Sequence, residues 1–323
     1  MRLFPQQTLL VLAALVAPAA GAQDAAYPAK PIRIVVPFPP GGTADIQGRM
    51  LGDKLARRLN QQVVIENRAG ANGNIGMELV AKAPADGYTI VISAVGPWAV
   101  NPYLYKLPYD VLTDFAPIIL VATTPGVVVV HPSLPVKTIR ELIALGRQKP
   151  GELTYGSSGI GGLGHMSAAL FSVMTNTKMT HVPYKGAAPA LIDIVGGHLQ
   201  VLFDSATPTI PYIKAGRVRA LATTGATRAE ALPDLPTVAE AGVPGYQNST
   251  WSSIAAPART PRPVIQLLNT EFAAILQMPE IKEAARLAAS TVNGGTPEQL
   301  HEFLKSELAK FSKLVREAGI KAD

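Results

Sequence analysis

Short β-branched apolar runs, each followed by a Gly/Pro-rich loop and then a stretch with helical periodicity, recur through most of this chain. Lys30 to Phe38 (KPIRIVVPF) is such a run; Pro39-Pro40-Gly41-Gly42-Thr43 follows it, and Leu51, Leu55 and Leu59 then share one helical face. The unit repeats as strand Val63 to Glu66, a loop from Asn67 to Asn74, helix Ile75 to Ala83, an Asp86-Gly87 turn and strand Tyr88 to Ser93. Apolar runs without alternating polar positions suit strands covered on both faces, so the pattern commits the chain to helices layered on parallel sheet.

A second series begins after Pro125. It reads as strand Val127 to His131, a helix opened by the capping box Thr138-Ile139-Arg140-Glu141, strand Leu153 to Ser157 and a helix from about Leu163. Strand Met179 to Pro183, helix Ala187 to Val195, strand Gln200 to Phe203, helix Pro208 to Lys214 and strand Val218 to Thr223 continue it. Pro233, Pro236, Pro244 and Pro257 then punctuate a stretch holding a short helix capped at Thr237-Val238-Ala239-Glu240 and strand Trp251 to Ala255. Two helices close the chain, Pro261 to Leu276 and an amphipathic Pro297 to Ala318 with Thr296 as N-cap. We expect lobe one to comprise 27–124 plus 224–323, with lobe two, 125–223, inserted between them and two strand-like crossings as the hinge. Small-molecule sites favour the cleft such an arrangement leaves, beyond the carboxyl ends of parallel strands.

Ahead of the first strand, Arg2, the apolar stretch Thr8 to Ala17 and Ala20-Gly21-Ala22 have the layout of an export signal. Residues 1–22 are therefore expected to be removed after Ala22, and the mature chain to work in the periplasm. With 0 Cys there is no disulfide framework, so the 48% hydrophobic composition must hold the fold through its core. The net charge of +6 is scattered without a Lys/Arg run, which argues against nucleic acid as a partner. The 5 dispersed His show no zinc spacing, so no metal and no cofactor is expected. A chain with its own large core has no evident need to oligomerise, and a monomer is expected.

Two loops carry the functional signal. Pro37 to Asp45 (PFPPGGTAD) ends a strand and opens a helix, so free backbone N–H groups and the positive end of the helix dipole face the same space, as an anion requires. Gly42 permits close approach of a ligand, and Thr43 either caps the helix or donates to the ligand. Tyr155 to His165 (YGSSGIGGLGH) has the same placement, with Ser157 and Ser158 as hydroxyl donors and His165 near the first helical turn. Neither loop holds Lys or Arg, so a bound carboxylate must be carried by N–H groups, hydroxyls and bridging water. Asp45 and Asp204 are the nearest acids, suited to a ligand ammonium or hydroxyl or simply to helix capping. Trp98 either walls the pocket or packs within its loop.

Enzyme readings compete. Gly159, Gly161 and Gly164 spell the dinucleotide fingerprint G-x-G-x-x-G, but the acidic residue due about 20 positions on is missing; that place reads Pro183-Tyr184-Lys185-Gly186, where Lys185 suits only a phosphorylated nucleotide such as NADP. Gly156-Ser157-Ser158-Gly159-Ile160 misses the nucleophile-elbow pattern by its last residue. A hydrolase built on Ser157 or Ser158 with His165 and Asp204 remains open at this level.

At these residues the chain resembles the Bug-type extracytoplasmic receptors of the tripartite tricarboxylate transporter family. The resemblance runs over nearly the whole mature chain: Tyr27-Pro28 with Lys30-Pro31, PFPPGGTAD at 37–45, VIENRAGANGNIG at 64–76, ADGYT at 85–89, YGSSGIGG at 155–162, HVPYKG at 181–186, FDS at 203–205 and LPDLPTVAEAGVPGY at 232–246. It implies a type II periplasmic-binding-protein fold, two α/β lobes around a ligand cleft with a two-strand hinge, and no catalysis. It implies a small organic carboxylate as ligand (a mono- or dicarboxylate, an amino acid or an aromatic acid) and membrane permease subunits as partners. Carried over residue by residue, it points to Phe38, Gly42, Thr43 and Asp45 in lobe one and Ser157, Ser158, Gly162 and His165 in lobe two, with Tyr184 and Asp204 behind them. Ser205 and Ala206 depart from the Asn and Leu of the family pattern, which bears on the distal pocket. A carboxylate sensor would use the same cleft.

Overall fold

The apolar runs form strands and the periodic stretches form helices in the order the pattern requires. In the computed structural model, which describes residues 27–317 and 319–321, the first series is β1 (Ile32–Val36), α1 (Thr43–Leu59), β2 (Val63–Asn67), α2 (Asn74–Ala81) and β3 (Thr89–Ala94). The expected export signal lies outside the described residues. Leu51 and Leu55, one helical turn apart, turn inward, and Asn60 ends α1 in the left-handed region at φ 47°. A π-helical turn, Gly96–Val100, follows β3 and buries Trp98 completely against Phe115, with ring centroids 4.9 Å apart. Trp98 is thus a core residue of lobe one and not a pocket wall.

The chain then enters β4 (Phe115–Val130), a single 16-residue strand. The sequence pattern marks only its end, from Val127 on, after the break at Pro125. The strand accommodates Pro117 with a register shift at Pro117/Ile119, shifts again at Leu120/Ala122, and carries Pro125 in register opposite Ser249. The second series is α3 (Ile139–Gln148), β5 (Thr154–Ser157), α4 (Leu163–Thr175), β6 (Thr180–Pro183), α5 (Ala187–Val195), β7 (Val201–Ser205), α6 (Ala206–Lys214) and β8 (Arg219–Thr223). The chain returns through β9 (Ser249–Pro257) to α7 (Arg262–Leu276), α8 (Pro279–Leu287), β10 (Thr291–Gly294) and α9 (Pro297–Glu317).

β4 belongs to both lobes. Its first part pairs antiparallel with β9 and β10 beside the parallel trio β2-β1-β3, and its last part pairs antiparallel with β7 and β8 beside β5 and β6. Two apolar layers cover each half of the sheet. The crossings lie at Gly126 in β4 and at Asn248 just before β9. One side chain ties them together: the Thr224 hydroxyl accepts the N–H of Gly126 at 2.7 Å and donates to the carbonyl of Asn248 at 2.6 Å.

The expected boundary at residue 224 is displaced by these contacts. Val238, Val243 and Tyr246 join the lobe-two core with Leu142, Phe171 and Phe203, and the Tyr246 hydroxyl donates to the Ser167 carbonyl at 2.9 Å. Segment 224–248 therefore packs on lobe two. The helix expected at Thr237 is only a turn, although its capping bonds form, Glu240 N–H to Thr237 Oγ1 at 3.1 Å and Thr237 N–H to Glu240 Oε2 at 3.0 Å.

Candidate functional site

Between the lobes lies a cavity of about 100 Å³, and the N-termini of α1, α4, α5 and α6 meet at it through Gly42 and Thr43, Gly162 and Leu163, Gly186 and Ala187, and Ser205. Helices begin with N–H groups that lack intrahelical partners. At α3 and α9, away from the cavity, Thr138 with Glu141 and Thr296 with Gln299 satisfy them in capping boxes. At the four cavity helices the N-cap residues are Gly42, Gly162, Gly186 and Ser205, and none makes a side-chain cap. α2, α7 and α8 also lack side-chain caps, but these four converge on one cavity, where each helix dipole favours a nearby anion by about 0.3–1 kcal/mol.

On lobe one, Phe38, Pro39, Gly42 and Thr43 of the first loop line the cavity directly. Asp45 does not. It is 4% exposed and lies beneath the loop, where it accepts the Gly41 N–H at 2.9 Å and the Asn67 amide at 2.9 Å, with Arg49 alongside. The same Asn67 amide also donates to the Phe38 carbonyl at 3.0 Å. Burial alone would raise the Asp45 carboxyl, but the hydrogen bonds from Arg49, Gly41 and Asn67 outweigh it and hold the group below its ordinary value. Asp45 shapes the loop that faces the cavity.

On lobe two, Ser158 and Gly162 line the cavity, whereas Ser157, His165 and Tyr184 stand behind them. Ser157 is fully buried, with its hydroxyl 2.7 Å from His181 Nε2. His165 accepts the Gly161 N–H on Nδ1 at 3.0 Å and stacks on His181 at 4.2 Å, and His181 stacks in turn on Tyr155 at 4.8 Å. Burial, and then the neighbouring His165, push the His181 imidazole down to about 4, so it stays neutral at physiological pH. The Tyr184 hydroxyl donates to Asp193 Oδ2 at 2.7 Å. This column of rings fixes the loop from behind.

Backbone geometry accounts for the dinucleotide-like glycines. Gly159 and Gly161 adopt φ of 140° and 74°, and a Cβ on Gly164 would stand 2.0 Å from the Phe203 carbonyl oxygen, where α4 crosses β7. Lys185 is exposed and outside the cavity lining.

Asp204, at the end of β7, is the ionisable side chain that lines the cavity; the lining contains no Lys, Arg or His. It is 3% exposed, its Oδ1 accepts the Ser205 N–H at 2.7 Å, and its Oδ2 has no hydrogen-bond partner. Burial pushes the carboxyl up to about 6, against the opposing pull of the Ser205 N–H and the nearby Ser158 hydroxyl. Next to it, Ser205 Oγ and Thr43 Oγ1 are 2.8 Å apart, a hydrogen bond that joins the lobes across the cleft. Ser205, marked in the sequence only as a departure from pattern, is therefore a closing contact.

The sequence reading missed one wall of the cavity, formed by Asn72, Ala94 to Gly96, Thr124 and the Thr250-Trp251-Ser252 stretch. It looked beyond the carboxyl ends of parallel strands, while β9 runs antiparallel and presents its amino end. Trp251 is held there by its indole N–H donating to Glu307 Oε2 at 2.7 Å. Asn72, at φ 52°, is fixed by reciprocal bonds with Asn101, of 2.8 and 3.0 Å. A run such as Ala71-Asn72-Gly73-Asn74, where Asn tolerates left-handed backbone, was a usable signal.

Two α/β lobes on a shared strand, closed over a small cavity lined by N–H groups and hydroxyls, define a solute-binding protein of the periplasmic type. The family model for the tripartite tricarboxylate transporter family receptor matches residues 48–320, and the chain belongs to that family. It is similar to the protein BugT of Bordetella pertussis, 37% identical over 297 residues, covering 91% of each chain. Among solved structures, R. palustris Rpa4515 with adipate matches with a TM-score of 0.89 and 40% identity, covering 91% of this chain and 99% of that one. MatC (Rpa3494) from Rhodopseudomonas palustris with bound malate matches with a TM-score of 0.84 and 28% identity, covering 90% of this chain and 100% of that one.

Proposed function

We propose that this chain is a periplasmic receptor that closes its two lobes on a small organic carboxylate and delivers it, chemically unchanged, to the membrane subunits of a tripartite tricarboxylate-type transporter. The observation that carries this reading is the meeting of four side-chain-uncapped helix N-termini at one interlobe cavity. Neutral donors of this kind bind a carboxylate at about 1.5–3 kcal/mol each, and four or five, less the cost of ordering, suffice for micromolar affinity. Phe38, Gly42, Thr43, Ser158, Gly162 and Asp204 contact the ligand, while Asp45, Ser157, His165 and Tyr184 position the two loops. The Ser157–His181 pair does not supply a nucleophile, since the hydroxyl is shut away from the cavity.

The relatives with adipate and malate set the scale of the ligand. The chain acts as a monomer after export and cleavage behind Ala22; among the described residues no helix is long and apolar enough to cross a membrane. Isothermal titration of the mature protein with adipate and with malate tests the reading. At least one binds with micromolar Kd, and Thr43→Ala with Ser158→Ala weakens it by about 100-fold, the loss of two hydroxyl donors. Unchanged affinity in the double variant would overturn the site assignment.

A further inference from the structure

Asp204 is an unusual neighbour for an anion. The residue lines the cavity and is 3% exposed, and its Oδ2, buried at the cavity wall beside the Ser158 hydroxyl, has no partner within hydrogen-bond distance. The charged groups on the surrounding elements are engaged elsewhere or lie outside the lining; Lys185, next to Gly186, is exposed and outside it. On α1, Asp45 and Arg49 bind each other; Asp193 on α5 holds Tyr184; and Arg219 on β8 donates to the Leu134 and Val136 carbonyls. His165 on α4 and His181 on β6 are stacked together behind Ser157, Lys214 sits at the far end of α6, and Glu307 on α9 receives the Trp251 indole. β4 and β9 carry no charged residue. Among the described residues no cation lines this cavity to compensate two carboxylates, and two such groups held close together in a buried site do not both stay ionised.

We propose that Asp204 enters the filled site as a neutral carboxylic acid whose Oδ2–H donates to a carboxylate oxygen of the ligand, so that the receptor takes up one proton from solvent with each anion it binds. This rests on the carboxylate reading of the cleft. Burial raises this carboxyl to about 6 against the opposing pull of the Ser205 N–H and the Ser158 hydroxyl, and an incoming negative charge raises it further. The Ser205 N–H remains on Oδ1, which leaves Oδ2 as the protonated oxygen. Selectivity follows, because a protonated Asp204 rewards an acceptor on the ligand and gives nothing to an ammonium.

The test is titration calorimetry with adipate and malate between pH 6.5 and 8.5, where both probes are ionised, in phosphate and in Tris. The wild-type Kd is expected to rise about tenfold per pH unit, and the difference in heat between the buffers to report about one proton taken up. Asp204→Asn places an uncharged N–H donor where Oδ2–H would be. It should bind with a Kd independent of pH, with no buffer-dependent heat, and more tightly than the wild type at pH 8.5 by roughly 30-fold or more. Binding without proton uptake in the wild type overturns the proposal. So does an Asn variant that is folded by circular dichroism yet binds nothing at any pH, which would mean that an ionised Asp204 accepts a donor from the ligand. If the wild type binds neither probe nor any other acid, the carboxylate reading itself fails and this inference with it.

Discussion

Replacing Asp204 by Asn in the ligand-free protein isolates what it costs the fold to keep a carboxylate in the cleft. The folded state raises this group from 3.8 to about 6. At 1.36 kcal/mol per pH unit the shift corresponds to about 3 kcal/mol. The folded protein holds the proton more tightly than the unfolded chain, so the stability contributed by Asp204 is full below about pH 4, falls between about 4 and 6, and stays low above that. Asn has nothing to titrate. The variant therefore gains on the wild type as the pH rises, by about 2.4 kcal/mol between pH 4 and pH 7, whatever constant offset the amide itself introduces. Urea denaturation followed by tryptophan fluorescence at a series of pH values measures that difference, and thermal melts should show it as about 6 °C. A wild-type-to-variant difference that does not change between pH 4 and 7 would refute the reasoning, since it would mean that the carboxylate is solvated at no cost.

Asp45→Asn should cost about 1–3 kcal/mol at pH 7 through the buried hydrogen bonds it weakens, and because the Asp45 carboxyl is held low, this penalty should shrink as the pH falls below about 4. Gly164→Ala pushes a methyl to 2.0 Å from the Phe203 carbonyl oxygen, and denaturation should show a loss of about 3 kcal/mol or more. Gly42→Ala is the contrasting case: its Cβ meets nothing within 4 Å, so stability should stay within about 0.5 kcal/mol while ligand affinity responds. Thr43→Val removes the bond to Ser205 across the cleft, worth about 1 kcal/mol, and small-angle scattering of the ligand-free protein should report a larger radius of gyration as the open form gains about fivefold.

Much of this architecture was legible because local and global signals agree. The apolar runs at Ile32–Val36 and Thr89–Ala94 are bounded by glycine and proline, and the Thr138 and Thr296 capping boxes mark helix starts in the structure as in the sequence. What was lost depends on tertiary context. A 16-residue strand containing Pro117 and Pro125 looks broken until its bulges and partners are seen. β10 has 4 residues and α8 has 9, both too short to stand out by periodicity. Segment 224–248 shows its allegiance only through Tyr246 and Thr224.

In the site, Gly-rich loops announced where N–H groups gather, and Gly42, Thr43, Ser158 and Gly162 fall on the cavity lining. The division between lining and support was not legible, because Ser157 and Ser158 are adjacent in sequence and face opposite ways. Trp251 was missed because its strand is antiparallel, and Ser205 because its partner lies 162 residues away.

The central claim is that this cleft recognises a carboxylate group, and a thermal-shift comparison of acids with their own neutral amides tests it most directly. At 100 times its Kd a ligand adds about 2.7 kcal/mol, which for a chain of this size moves the midpoint by about 5 °C. The account predicts that at least one aliphatic mono- or dicarboxylate raises the midpoint and that its amide does not. An amide as effective as its acid, or a shift with NADP and with no acid, would contradict it.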